Sequence, residues 1–194
     1  MKKIKFVIIF LFLTFSNAFG MEADIFVQST VNRASAILAD DISRERKIED
    51  LKIIAKETVD IKGIGLYTLG NVRKSLNENQ KKDYHFLFEK YFLKSFSSRL
   101  AEYTNPEIDV FDKQVLNKNY TIVNSVLKAS GDRPEVKIDW RIYTKDQNNP
   151  LIRDLIIEGL SLARTQKEEF ASILNSNDGD INVLFKVLGE FSNN

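Results

Sequence analysis

Few residues in this 194-residue chain have the types and spacing needed for covalent or metal chemistry. Zero cysteines remove thiolate nucleophiles, iron–sulfur clusters and cysteine-ligated zinc. His85 is the only histidine, so a histidine-based metal site is excluded, and a Ser-His-Asp triad would have to recruit that one side chain from within an aromatic-rich helix. Gly63, Gly65 and Gly70 do not complete a dinucleotide fingerprint, because Thr68 stands where the third glycine belongs, and no phosphate-cradling Walker sequence occurs. The paired acids Asp40-Asp41, Glu49-Asp50 and Glu168-Glu169 each lie beside basic residues, as on a solvated helix face. No catalytic residue, cofactor or metal is therefore expected.

The more informative side chains are apolar and aromatic. Tyr84, Phe88, Tyr91, Phe92, Phe96, Leu100 and Tyr103 recur at helical spacing and predict a helix from Asn77 or Glu78 to Tyr103 with a wide ring-bearing face. Asn77 and Gln80 supply a capped start, and Pro106 forbids continuation. Upstream, Ile25, Val31, Ile37, Leu38, Ile48, Leu51, Ile54, Ala55, Ile61, Ile64, Leu66 and Leu69 recur at three- and four-residue steps. The stretch from Asp24 to Tyr103 thus reads as four helices.

After Pro106 the period becomes two. Ile108 to Leu116, Tyr120 to Ala129, Val136 to Tyr143 and Ile152 to Glu158 read as strands joined by short polar loops, an antiparallel meander. Val136, Ile138, Trp140 and Ile142 alternate with Lys137, Asp139, Arg141 and Tyr143, so the sheet has one apolar face and one wet face. Two helices close the chain, Ser161 to Leu174 and Asp180 to Phe191. The expected fold class is α+β: an antiparallel four-stranded sheet with about six helices on one face.

With 28 basic against 27 acidic side chains, the chain lacks the positive excess of a nucleic-acid binder. The composition, 43% apolar with 3 prolines, fits one globular domain over residues 21–194. Ahead of it, Lys2, Lys3 and Lys5 precede an apolar run from Phe6 to Phe15 and the small residues Ser16, Ala18 and Gly20. This is the pattern of a secretory signal peptide cleaved near Ala18 or Gly20. This ten-residue run, apolar apart from Thr14, reaches only about 15 Å as a helix, half of a bilayer core, so no stable membrane insertion is expected. Without those three lysines, 25 basic residues face 27 acidic ones, which gives no bulk attraction to anionic lipid.

Three stretches together resemble a known family. They are VDIKGIGLYTLGNVRKS at 59–75, the segment from Gln80 and Phe86 through the aromatic helix to Tyr103, and IRDLIIEGLSLARTQKEEF at 152–170. Their order and spacing are similar to those of MlaC, the periplasmic phospholipid-binding family also described as toluene-tolerance auxiliary components. The chain departs from the family pattern at Val72, Pro150-Leu151 and Thr165-Gln166-Lys167. The resemblance implies a periplasmic carrier, with a lipid-sized cavity between sheet and helices, and a monomer is expected. Its partners would be a phospholipid ligand, an inner-membrane ABC transporter complex and an outer-membrane lipoprotein complex, serving outer-membrane lipid asymmetry.

On that reading the pocket walls are Phe88, Phe92 and Phe96 on the long helix, Val123 and Leu127 on the second strand, Val136, Ile138, Trp140 and Ile142 on the third, and Leu155 and Ile157 on the fourth. Leu162 and Phe170 close the side, and Arg153, Arg164 and Lys167 stand as phosphate partners at the mouth. The residues alone leave two alternatives open: a chaperone or adaptor that binds apolar polypeptide, and an enzyme using a carboxylate in the same pocket.

Overall fold

The computed structural model of the chain describes residues 21–131 and 133–193. The expected signal segment, 1–20, lies outside the described residues. Among these, no helix is long and apolar enough to cross a membrane.

The first half is helical, as the periodicity predicts. Helices α1 (Ala23–Ala39), α2 (Arg44–Thr58) and α3 (Ile61–Thr68) lead through a short 3-10 turn, Val72–Lys74, to α4 (Glu78–Leu100). The start of α4 is fixed by a capping box: Asn77 accepts from the Gln80 amide, and Gln80 returns a bond to the Asn77 amide. Its last helical residue, Leu100, falls six positions before Pro106, and Asn105 then adopts a left-handed turn conformation (φ 47°). Helices α5 (Leu162–Asn175) and α6 (Ile181–Asn193) follow the sheet.

The sheet has five strands, not the four expected. β1 (Ile108–Asn117), β2 (Tyr120–Leu127), β3 (Val136–Tyr143), β4 (Leu151–Ile157) and β5 (Leu160–Ser161) pair antiparallel in sequence order. The additional strand arises because Glu158 (φ 48°) and Gly159 (φ 82°) form a two-residue reversal with positive φ at both central positions, the turn that suits a tight hairpin. Ile157 then pairs with Leu160, and Ile156 with Ser161. Ser161 ends the sheet and also starts α5, where its hydroxyl accepts from the Arg164 amide.

Alternation along the strands sets which residues meet the helices. Ile138, Trp140 and Ile142 on β3 are buried and pair with the inward residues Ser125, Val123 and Thr121 of β2. A bulge on β4 makes Arg153 the extra residue, since Arg141 pairs with Asp154 while Ile142 pairs with Ile152. Arg153 donates to Asp60 Oδ2 at 2.5 Å and to the Tyr120 hydroxyl at 3.1 Å, with its guanidinium 4.3 Å from the Tyr143 ring centre. Asp60 also caps α3 through the Gly63 amide, and its own amide donates to the Ile152 carbonyl. The turn into α3 is thereby fastened to β4.

Candidate functional site

The helical layer packs differently along its length. Near the start of α4, Tyr84 and Phe88 are buried, stacked at 5.6 Å, and the Tyr84 hydroxyl bonds Thr68 Oγ1 at 2.8 Å. Phe88 lies so close to α3 that a methyl group on Gly65 would meet the ring at 2.9 Å. Phe170 sets its edge against Phe88, while Leu184 and Leu188 of α6 are fully buried. This end is filled.

Towards the C-terminal half of α4 the rings continue, Phe92 stacking on Phe96 at 5.4 Å, yet both are only half-buried and border open space. A hollow of about 140 Å³ separates the sheet from α1, α2 and the end of α4. Val31, Ala34 and Leu38 of α1, Leu51, Ile54 and Ala55 of α2, and Phe96 and Leu100 of α4 form one wall. Ile108, Leu127, Ile138, Trp140, Ile152, Leu155 and Ile157 form the other. Its few polar side chains are self-satisfied: Thr30 and Thr58 donate to carbonyls four residues earlier in their helices. Trp140 Nε1 donates to Ser125 Oγ at 2.8 Å, and Ser125 donates onward to the Ile138 carbonyl. An indole can therefore line an apolar space without an orphaned donor.

A second hollow, about 200 Å³, lies between α4, α5 and β4. Val59, Phe96, Ile152 and Leu155 border both spaces, so the two share one apolar partition. Ile64, Phe88, Phe92 and Leu162 extend the second floor, while Ser95, Arg99, Thr165, Gln166 and Glu169 bring polar groups to it. At the opposite end, Tyr103, Pro106 and Leu127 border both the first hollow and an open depression of about 410 Å³, which Val136 also lines.

Most of the sequence-derived wall residues are brought to these spaces: Phe88, Phe92, Phe96, Leu127, Val136, Ile138, Trp140, Leu155, Ile157 and Leu162 line one or more. Val123, Ile142 and Phe170 are instead packed in solid core. Arg153 is held by Asp60, Arg164 is exposed on α5, and Lys167 lies over the Tyr67 ring at 5.1 Å; none of the three lines these three spaces. The contribution of α1 and α2 was missed by sequence reasoning. Its signal was the placing of small residues, Ala34 and Ala55, within apolar helical repeats, where a short side chain leaves room.

Two buried or half-buried titratable groups at the site, Asp154 and Tyr91, serve the fold. Asp154 borders the second hollow, but its carboxylate accepts from Ser161 Oγ at 2.6 Å and from the Ala163 amide at 3.0 Å, anchoring the N-terminus of α5, with Arg141 3.8 Å away. Burial pushes the Tyr91 phenol up, opposed by its bond to Gln166. Burial and the neighbouring Lys62 hold the His85 imidazole below its ordinary value, so it is neutral at pH 7. Among the described residues no cluster of three His, Asp or Glu is placed to hold a metal ion.

The family model for MlaC matches residues 28–190. The chain belongs to the MlaC family. The MlaC match spans both halves of the fold, from within α1 to the last turns of α6. A solved structure shares that fold: the phospholipid-binding protein from Ralstonia solanacearum, determined in complex with a phospholipid. It superposes with a TM-score of 0.74 at 19% identity, covering 88% of this chain and 97% of that one.

Proposed function

We propose that this protein is a soluble periplasmic phospholipid carrier that moves lipid between an outer-membrane lipoprotein complex and an inner-membrane ABC transporter. The observation that carries the reading is the hollow between sheet and helices, walled almost entirely by aliphatic and aromatic side chains and divided from a second hollow only by shared apolar side chains. Membership of the MlaC family, and the phospholipid held by the Ralstonia protein, support it.

The physical need is clear. Two acyl chains carry about 30 methylenes, and at roughly 0.8 kcal/mol each their exposure would cost on the order of 20 kcal/mol. A carrier has to offset nearly all of that while still releasing the ligand. Phe92, Phe96, Ile138, Trp140, Leu155 and Ile157 offer tails the contacts they lose on leaving a bilayer. A cavity of about 150 Å³ accepts one benzene, so the two hollows accommodate about a dozen carbons, under half of a diacyl lipid. Loading therefore parts the side chains of the shared partition.

The deciding measurement is mass spectrometry of an organic extract of the protein after mild isolation. Two-tailed lipid at near one molecule per chain is expected, and its loss on Ile138→Asp. A protein that carries no lipid, even after incubation with phospholipid vesicles, refutes the proposal.

A further inference from the structure

The rim of the hollow between α4 and α5 carries two opposite charges that the protein does not neutralise. Arg99, in the last turn of α4, and Glu169, in the middle of α5, both border it and both are exposed. Among the described residues neither forms an ion pair, with the other or with any third side chain. Glu169 is nevertheless positioned: Gln166 Nε2 donates to its Oε2 at 2.9 Å, and Gln166 Oε1 accepts from the Tyr91 hydroxyl at 2.8 Å. Both charges act on that same phenol, Glu169 pushing its pKa up and Arg99 pulling it down. They therefore sit within electrostatic reach of one point on the rim.

The open depression bordered by Tyr103, Pro106 and Leu127 differs. There the Lys128 amine is 3.0 Å from Asp109 and 3.5 Å from Glu107, and Arg133 lies over the Tyr103 ring while donating to the Glu102 carbonyl. Those cations are already engaged. At the α4–α5 rim the complementary charges remain for a ligand, directly beside an apolar floor.

We propose that Arg99 and Glu169 form a two-point site for the headgroup of a zwitterionic, amine-bearing phospholipid, the guanidinium taking the phosphate and the carboxylate taking the ammonium. This rests on the carrier reading and assigns the headgroup class and the end from which it protrudes. A guanidinium fork matches two phosphate oxygens, and a primary ammonium presents three donors to a carboxylate. A headgroup with phosphate but no cation would satisfy Arg99 and be repelled by Glu169. Because both groups are exposed, the discrimination is modest, about twofold to fivefold.

The test loads the protein from vesicles containing equal amounts of phosphatidylethanolamine and phosphatidylglycerol at low salt, repurifies it and quantifies both lipids by mass spectrometry. Phosphatidylethanolamine is expected in about twofold to fivefold excess, a preference that high salt erodes. Glu169→Lys should invert the ratio, Arg99→Glu should lower total phospholipid and abolish the preference, and Arg133→Glu should leave the ratio unchanged. Lipid recovered at a ratio near one, or a ratio that ignores Glu169→Lys or follows Arg133→Glu, overturns the headgroup site and leaves the carrier intact. Recovery of no lipid at all overturns both.

Discussion

Placing a ring into the first hollow from α1 separates lipid capacity from folding. Ala34 lines that space and is only half-buried, so Ala34→Phe can add a phenyl group without entering solid core. Burying the ring gains about 2–3 kcal/mol, which overpacking strain of about 1–3 kcal/mol offsets, so the thermal midpoint should barely move. The ligand fares worse. The hollow of about 140 Å³ is close to the ~150 Å³ that holds one benzene, so the ring evicts about six carbons of a tail. At roughly 0.8 kcal/mol per methylene the loss is about 5 kcal/mol, three to four orders of magnitude in affinity. Lipid recovered by mass spectrometry should collapse while circular dichroism and the melting transition stay close to those of the parent. A folded Ala34→Phe protein that retains lipid at the original stoichiometry would show that the tails lie elsewhere.

Other perturbations probe the frame around the hollows. Gly63→Ala places a methyl 2.5 Å from Asp60 Oδ2 and 2.7 Å from Arg153 Nε, so it must break the α3 cap or the ion pair; a loss of about 2–3 kcal/mol should appear in urea denaturation. Tyr84 and Tyr91 have phenols raised by burial, so their contribution is complete below the unfolded tyrosine value near 10 and fades as pH rises beyond it. Stability should accordingly decline above about pH 10, and Tyr84→Phe, though it loses the Thr68 bond, should flatten that decline. His85 shows the opposite sign: its folded value is lowered, so its contribution holds above the unfolded value near 6.5 and is lost on acidification. His85→Gln should weaken the pH dependence of the melting midpoint below about pH 6.5, and an unchanged slope would contradict the assignment.

Much of this architecture is legible in the sequence because it depends on local chemistry. The inward set of β3 follows from strict alternation over Val136–Tyr143, and the start of α4 follows from Asn77 and Gln80, whose reciprocal bonds lie within one turn. β5 escaped because two residues carry no period, and Gly159 reads equally as a hairpin turn or as a helix entry. Arg153 illustrates a different limit: its partner Asp60 is 93 positions away, and a bulge decides which way the side chain points. Wall and core are likewise indistinguishable by hydrophobicity alone. Ile142 and Ile138 occupy the same face of the same strand, yet one is in solid core and the other borders a hollow, because what lies opposite belongs to distant helices.

On the proposed carrier reading, that contrast accounts for a cavity that yields without unfolding of the frame. Side chains that fasten the frame are specific and saturated: Asp60 holds both the α3 cap and Arg153, Tyr84 bonds Thr68, and Asp154 binds the start of α5. The side chains around the shared partition, Val59, Phe96, Ile152 and Leu155, are apolar and offer only non-directional contact. Exchanging apolar side-chain contact for contact with a methylene replaces one dispersion surface by another at small net cost. Ala34 and Ala55 bring no bulk that would resist. If the proposal holds, tails enter along the seam where only interchangeable contacts are broken, while the hydrogen-bonded clamps keep sheet and helices in register.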